Sequence, residues 1–463
     1  MTVNALKKII SRSSGFVDFD SEMKTPLTVA PSGCDISHGD KDSISIDSLK
    51  QLIPVRSLSD DELTAFSIGG YAEKFDSNVK LFVENEPLNS VLYLLKGTVR
   101  IESNSGRGYE ISAGSAQSRF PLSTGDKHTT TATTSTPVTV LRVSQEVLAS
   151  CQESIDSEIM GEAVEIKVVP PELEDSQLFQ ALYQNYMQEE LALAVLPSVA
   201  DMVTRAFSRN INKSQAARIV ETDPVLTAKL LSVANSPLFH NSGTVYTALD
   251  AINVIGMEAA RYVIKNACNN YVLKSSNRPY VEQIQKSSAQ SLLISGLCFA
   301  LASLTETVDP KQALTAGLIS NIGIMPFSHY VDDFPSQMYS QDEIDRGWPI
   351  VRGFMGSFVL EKLGLPQQLS CIPEASSDLM YDSGKEMDLG DIVIISRLLV
   401  QMHESDEGSS PEPASIPAVN KLEGSGLTDE LTRLLFQIAN KRVKMPLAVV
   451  SQPLQLPEEI TNT

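Results

Sequence analysis

"VETDPVLTAKLLSVANSPLF", residues 220–239, contains the start and stop signals of one short helix. Asp223 suits the cap position before a helix, and Pro224 is favoured at the first helical position because no N–H is needed there. Three apolar residues follow at helical spacing: Leu226, Leu230 and Val233. Asn235 and Ser236 then precede a proline, and the residue before a proline is disfavoured in the α conformation. The stretch therefore predicts a capped helix with one apolar face.

The sequence after this helix keeps a helical pattern. Residues 247–267, "TALDAINVIGMEAARYVIKNA", predict a short helix that Gly256 ends and a longer helix that follows it. Residues 288–304 and 313–327 are two further apolar segments of the same kind. Because so many segments have a continuous apolar face, we expect a compact all-α bundle.

The first part of the chain changes to a period of two. Ser59 and Glu62 form an S-x-x-E capping box, which predicts a helix start near Ser59. Residues 91–103, "VLYLLKGTVRIES", alternate around Gly97, which suits a turn or a bulge. Residues 129–143 are rich in β-branched side chains. Short strands at this spacing predict a small β-barrel or sandwich of roughly 100 residues.

Composition and charge exclude several classes of protein. A chain of 463 residues, 42% hydrophobic and 20% charged, predicts two or three globular domains. There are 37 Lys and Arg residues against 57 Asp and Glu residues, and the net charge of −20 disfavours nucleic-acid binding. The five scattered cysteines include no C-x-x-C pair, so we expect buried thiols and a cytoplasmic location. No run of about 18 apolar residues predicts a membrane span.

The helical half resembles the HDOD domain, an all-helical relative of the HD phosphohydrolases that occurs in bacterial signalling proteins. Its motifs "DPVLTAKLLSVANSP", "ALDAINVIG" and "AGLISNIG" follow one another in the family's order. The resemblance covers about residues 190–385. The positions that match the family's signature are Asp223, Pro224, Asn235, Ser236, Gly256, Gly317 and Gly323.

The same resemblance places neutral residues where the HD enzymes bind metal. In those enzymes the run A-x-x-x-G-L-L is followed by His-Asp, and both residues are metal ligands. Here the two positions hold Ser320 and Asn321, and Pro373-Glu374-Ala375 replaces the later histidine pair. The nearest other donors occur in a segment more typical of a solvated acidic turn: His329, Asp332 and Asp333. We therefore expect no metal, no cofactor and no catalytic residue.

Residues 44–150 resemble the cyclic-nucleotide-binding domain through a leading helix, "LFVENE" and "VLYLLKGTVRI". That family binds ribose with a Gly-Glu pair and the cyclic phosphate with an arginine. Residues 111–132, "ISAGSAQSRFPLSTGDKHTTTA", contain no Gly-Glu pair. Three side chains remain as candidates for anion binding: Arg119, Lys127 and His128. A lysine lacks the bidentate fork of arginine, so we expect that this domain does not bind cAMP in the family's manner.

The predicted fold class is multidomain α+β, with an N-terminal β-barrel or jelly roll of cyclic-nucleotide-binding type followed by an all-α, HD-like HDOD domain. The predicted segments are an irregular leader at 1–43, the β domain at 44–150, a linker at 151–189, the HDOD domain at 190–385, and a helical extension and tail at 386–463.

We interpret the chain as a non-catalytic bacterial signal-transduction protein, a pseudoenzyme that binds partners or a small ligand. The expected partners are signalling proteins, with a small molecule or a nucleotide as candidate ligand and with no nucleic acid or membrane. Three alternatives stay open. They are a metal-dependent phosphohydrolase or phosphodiesterase with a rebuilt site, a nucleotide sensor that uses the N-terminal domain, and a scaffold without a ligand.

Overall fold

A computed structural model covers the 463-residue chain. The structure describes residues 44–69, 72–88, 90–103, 108–145, 148, 175–186, 193–236, 239, 243–273, 278–333, 340–384, 386–404, 412–422 and 427–449. The predicted leader at 1–43 and most of the predicted linker at 151–189 lie outside these residues.

The N-terminal half begins with two helices and continues with seven strands. The helices are α1 (Ile46–Leu49) and α2 (Asp60–Gly69). The strands are β1 (Ala72–Phe75), β2 (Lys80–Phe82), β3 (Ser90–Lys96), β4 (Thr98–Glu102), β5 (Gly108–Ser112), β6 (Thr131–Thr134) and β7 (Val138–Ser144). Two short 3-10 helices accompany them, Val55–Ser57 and Gln117–Arg119.

The predicted capping box is confirmed at the start of α2. The Ser59 backbone N–H donates to Glu62 Oε2 at 2.8 Å, and the Glu62 backbone N–H donates to Ser59 Oγ at 3.4 Å. The first N–H groups of a helix have no partner within the helix, and these two reciprocal bonds satisfy two backbone N–H groups at the start of α2.

The strands form two antiparallel sheets, one in the order β1-β7-β3 and the other in the order β2-β6-β4-β5. Strand β3 is buried on both faces, which explains its unbroken apolar run. Val91 and Tyr93 pack with residues of α1 and α2, whereas Leu92 and Leu94 pack with β4 and β6 of the other sheet. The predicted β-sandwich is therefore confirmed, with a helical layer on its outer face.

Gly97 lies at the predicted turn, between β3 and β4. Its φ of 89° is in the region that favours glycine, and a Cβ at this position would collide with the Pro137 carbonyl oxygen. The register of β3 against β7 also shifts between Leu94 and Lys96.

The second half is helical. Its helices are α3 (Gln177–Tyr186), α4 (Pro197–Phe207), α5 (Lys213–Val220), α6 (Pro224–Ala234), α7 (Ala248–Ile255), α8 (Met257–Asn270), α9 (Arg278–Thr305), α10 (Pro310–Ile319), α11 (Ile324–Asp333), α12 (Gln341–Lys362), α13 (Gln367–Ser370), α14 (Ile372–Ala375), α15 (Leu389–Glu404), α16 (Pro417–Asn420) and α17 (Asp429–Val449). A 3-10 helix at Pro413–Ser415 precedes α16.

The predicted ends of the helices around α6 are confirmed. Asp223 Oδ1 accepts hydrogen bonds from the backbone N–H groups of Val225 and Leu226, each at 2.9 Å. Gly256 ends α7 and precedes α8 with a φ of 86°. Local sequence signals therefore determine where these helices stop and start.

Helix α9 lies at the centre of the bundle, where it packs on α10, α15 and α17. By length and composition its Val281–Thr305 part is apolar enough to cross a membrane, although no such run was predicted. Within the most apolar window, 67% is buried inside the bundle, and a core helix meets the same criteria.

The helices after residue 385 share the core of the helices before it. Residues of α15 and α17 belong to one apolar cluster with α6, α8 and α9. A Cβ on Gly296 of α9 would lie 3.0 Å from the Ala439 carbonyl oxygen of α17, so these two helices approach closely. The predicted boundary at 385 marks no break in this core, and the five-segment division stays a prediction.

Helix α2 also packs against the helical half, on α8 and α6. Asn266 Nδ2 donates to Asp61 Oδ1 at 2.6 Å, and the rings of Phe66 and Phe239 meet edge to face at 6.4 Å. Ala65 belongs to the core cluster of the helical half. One helix thus has contacts with both the sandwich and the bundle.

Candidate functional site

The turn between α10 and α11 holds Ser320 and Asn321, the two residues predicted to stand at the HD metal-ligand positions. Ser320 has no exposed surface, and its Oγ donates to the Gly317 carbonyl oxygen at 2.8 Å. Asn321 is 6% exposed, and its Oδ1 is buried without a hydrogen-bond partner among the described residues. A buried oxygen without a partner costs about 1–3 kcal/mol, so the Asn321 amide is a polar group that the described residues do not satisfy.

Glycines allow three segments to meet around this turn. A Cβ on Gly317 would lie 2.7 Å from Cys298 Sγ of α9, and one on Gly323 would collide with the backbone of α12 at Arg352. A Cβ on Gly356 of α12 would lie 2.6 Å from Pro373 Cβ of α14 and 3.3 Å from the Gly323 backbone nitrogen. Both positions that differ from the HD pattern, Ser320–Asn321 and Pro373–Ala375, therefore lie against the same part of α12.

Two arginines that the sequence did not single out lie at this meeting point. Arg352 is on α12 and is partly exposed, but its Nε is buried and has no hydrogen-bond partner among the described residues. Burial lowers its pKa to about 10. Arg397 is on α15, is 9% exposed, and donates from Nη1 to Ser376 Oγ at 3.1 Å.

The two guanidinium groups act on one another. The pKa of Arg397 lies well below its usual value, mainly because the side chain is buried and also because Arg352 places a positive charge nearby. No carboxylate contributes to the pKa of either arginine, and within the described part of the chain neither forms an ion pair. We call Ser320, Asn321, Arg352, Ser376 and Arg397 together the HD-derived site.

These side chains do not fit a divalent metal. Metals of the HD type need imidazole and carboxylate ligands, whereas the HD-derived site offers hydroxyl and amide groups next to two cations. Among the described residues no group of three or more His, Cys, Asp and Glu side chains is close enough to hold an ion. The site therefore combines neutral polar groups with positive charge.

The other histidine and aspartate side chains weighed as metal donors are separate from this site or lie outside the described side chains. The backbones of His329, Asp332 and Asp333 belong to the last turns of α11 rather than to a loop. Their side chains, like His38 and His240, are not among those described. His403 is exposed, and its ring packs against that of Phe436 at 5.0 Å.

In the N-terminal half, two of the three candidate anion-binding residues are exposed and the third is buried. Arg119 is exposed at the end of the 3-10 helix Gln117–Arg119, and Lys127 is exposed beside Pro87. His128 is 8% exposed, and its ring stacks on Phe82 with 4.0 Å between centroids.

His128 has little charge to offer an anion. Burial lowers the pKa of its imidazole, although Glu86 opposes this effect, so the ring is neutral at pH 7. Its Nδ1 is buried and has no partner among the described residues. Anion binding by these three residues stays a prediction, and Arg119 and Lys127 are the two with exposed charge.

The signature residue Asn235 acts on the backbone. Its Nδ2 donates to the Leu231 and Val245 carbonyl oxygens at 3.0 and 2.9 Å, and its Oδ1 accepts from the Val245 N–H at 2.9 Å. Beside it lies a cavity of about 380 Å³ that Tyr246, Pro366 and Gln367 also line. The side-chain amide of Asn235 is therefore occupied in attaching the 243–246 segment to the end of α6.

The remaining signature positions also determine structure rather than chemistry. Asp223 and Gly256 set helix ends, Pro224 begins α6, and Gly317 and Gly323 allow close packing. Ser236 is buried, and its Oγ has no partner among the described residues. The signature positions thus shape the fold, while the two cations without a carboxylate partner among the described residues, Arg352 and Arg397, lie outside the signature.

These geometric features agree with the family comparison. The helical half is an all-α bundle. A family model for the HDOD domain matches residues 193–349, so the chain contains an HDOD domain. No curated protein matches the chain.

Solved structures similar to parts of the chain come from several bacteria. The MmoQ response regulator of Methylococcus capsulatus is 20% identical, with 54% of this chain and 99% of that chain covered and a TM-score of 0.37. A cyclic nucleotide-binding-like protein of Brucella abortus is 18% identical, with 23% and 97% covered and a TM-score of 0.20. The sensor domain of the transcriptional regulator DNR of Pseudomonas aeruginosa is 17% identical, with 27% and 99% covered and a TM-score of 0.20.

Proposed function

We propose that this protein is a cytoplasmic signalling regulator that acts by binding through its HDOD domain and not by hydrolysis. The observation that supports this proposal is the content of the HD-derived site. Ser320 and Asn321 replace the metal ligands, and Arg352 and Arg397 bring positive charge to the same place.

The electrostatics explain why such a site disfavours metal hydrolysis. Metal-assisted hydrolysis requires a bound dication that polarises the phosphate and lowers the pKa of a water molecule. Neutral oxygens compensate little of a dication's charge, and two nearby guanidinium groups repel it. Loss of the anionic ligands and gain of the cations both reduce affinity for metal.

The contacts of α2 suggest how binding would become a signal. This helix touches the bundle through Asp61–Asn266 and Phe66–Phe239, and the sandwich through the cluster that contains Leu63. A ligand or partner that binds one arrangement of the two halves more tightly would shift the population towards it. The shift is limited to the difference between the two affinities.

A direct test measures metal content and turnover of the full chain. Protein purified with added Mn²⁺ or Mg²⁺ would be dialysed, analysed for bound metal, and assayed on phosphodiester and phosphomonoester substrates. An HD hydrolase with intact ligands would serve as the positive control. We expect substoichiometric metal and no turnover above the buffer. One bound metal per chain, together with turnover that a chelator abolishes, would overturn the proposal.

A further inference from the structure

Two other largely enclosed cations among the described residues, Lys421 and Arg442, pair with carboxylates. Lys421 Nζ lies 2.9 Å from Oδ2 of Asp391, a side chain with no exposed surface. Arg442 Nη2 lies 2.8 Å from Glu221 Oε2. A buried charge is costly unless it is paired and hydrogen-bonded, and both of these pairs follow that rule.

Arg352 and Arg397 depart from that rule within the described residues, although carboxylates are abundant. The chain has 57 acidic residues against 37 basic ones, so a shortage of acids does not explain the missing partner. Instead of a carboxylate, the neighbour that most affects Arg397 is the like charge of Arg352. The nearby like charge of Arg352 adds to the cost of burying Arg397, and an anion between the two groups would offset that cost.

Two serine hydroxyl groups lie beside the arginines and already donate to the Pro373 carbonyl oxygen, so the donors available to an anion are the guanidinium N–H groups. Arg397 donates to Ser376 Oγ. Ser377 lies close to α12, because a Cβ on Gly353 would be only 2.6 Å from Ser377 Oγ. Ser377 Oγ itself donates to the Pro373 carbonyl oxygen at 2.8 Å. The arginines therefore approach the short segment around α14 from two helices, α12 and α15.

We propose that the HD-derived site binds the phosphate group of a small molecule between Arg352 and Arg397. This inference rests on the proposed function, because it requires an HD-derived site without metal. Guanidinium groups recognise phosphate through paired N–H donors, and two of them neutralise a phosphate dianion. Arg352 is partly exposed whereas Arg397 is nearly enclosed, so an anion would approach Arg397 from the side of Arg352.

The proposal gives a test with inorganic phosphate as the probe. Binding to the full chain would be measured by calorimetry and by thermal stability, in phosphate and in chloride at equal ionic strength. We expect saturable binding of one phosphate per chain and a raised melting temperature. R352M and R397M should each weaken binding at least tenfold, and R397K should lie between wild type and R397M because lysine keeps the charge and loses the fork.

Two controls separate this site from others. R56Q and K96Q each remove an exposed cation of the N-terminal half that belongs to no candidate site, and both should leave phosphate binding unchanged. Without phosphate, R397M should be as stable as wild type or more stable, because it removes an unpaired buried charge. A large loss of stability in R397M without phosphate would instead show that Arg397 has a structural partner, and would overturn the proposal.

The remaining outcomes are also decisive. No saturable phosphate binding, or binding that survives in both R352M and R397M, would refute the phosphate site. Either result leaves the proposed function intact if metal content and turnover are also absent. If wild type binds phosphate, comparison of 5′-nucleoside monophosphates with inorganic phosphate would show whether the phosphate belongs to a nucleotide.

Discussion

Replacement of Asp223 by asparagine or alanine separates the two roles of this buried carboxylate. It is 1% exposed and accepts two backbone hydrogen bonds at the start of α6. Burial raises its pKa from 3.8 to about 6, against the opposing effect of those two bonds. Asparagine keeps the acceptor oxygen and removes the charge, whereas alanine removes both.

The pH dependence follows from the direction of this shift. Because the native pKa lies above the unfolded one, the native state binds the proton more tightly, and wild-type stability rises as pH falls through the window from about 6 to 3.8. A shift of roughly two units corresponds to about 3 kcal/mol over the whole window and about 1 kcal/mol between pH 7 and pH 5. D223N has no such group, so its stability should lack this part of the pH dependence.

The assay is urea unfolding followed by the fluorescence of the single tryptophan, Trp348, which lies in α12 of the same bundle. At pH 7, D223A should lose about 2–4 kcal/mol because two buried N–H groups lose their acceptor, while D223N should be at least as stable as wild type because it keeps an acceptor oxygen and removes the buried charge. Between pH 7 and pH 5, wild type should gain about 1 kcal/mol relative to D223N. Parallel pH profiles of wild type and D223N would refute the assigned shift, and a fully stable D223A would refute the cap.

Three further substitutions or reagents test the packing. G323A should destabilise the bundle by at least about 2 kcal/mol, because a Cβ there meets the backbone of α12; a wild-type melting temperature would contradict this. Cys371 is exposed, whereas Cys298 is buried and its pKa is raised to about 12 by burial. Of these two thiols, a thiol reagent should label only Cys371 in the native protein, as peptide mapping would show. Equal labelling rates would exclude the described packing. K421M should cost about 3–5 kcal/mol of stability by leaving Asp391 buried without its partner. The double variant K421M/D391N should recover part of that loss. If the losses of the two single variants simply add in the double variant, the pair is not coupled.

Much of the architecture could be predicted from local patterns. The Ser59–Glu62 box, the Asp223 cap and the Gly256 helix end all depend on residues within one or two turns, and each is confirmed. The alternation through β3 likewise predicted a strand. These residues supply hydrogen-bond partners or backbone conformations at helix ends, and each acts on groups only a few positions away in the chain.

The content of the site could not be predicted in the same way. Arg352 and Arg397 are 45 positions apart on different helices, and only the packing of both around α14 brings them together. Periodicity shows which face of a helix is apolar but not which face of another helix meets it. A usable signal existed in "VRGFMG" and "ISRLLV", where one arginine interrupts an apolar segment beside small or apolar neighbours.

The burial of side chains was also predicted unevenly. Cys268 and Cys298 are buried thiols as expected, but Cys371 is exposed because it lies at the junction of the short helices α13 and α14. His128 looked like an available cation in sequence, yet it stacks on Phe82 from another strand. Both differences come from contacts between segments distant in the chain.

One calorimetric titration tests the central claim most directly. The full-length protein, treated with chelator and dialysed, would be titrated with MnCl₂ and, in a separate cell, with phosphate. The account predicts saturable binding of phosphate that R352M and R397M weaken, and no saturable binding of Mn²⁺. Stoichiometric Mn²⁺ binding without phosphate binding would contradict it, because the HD-derived site would then hold a cation where the structure places two arginines.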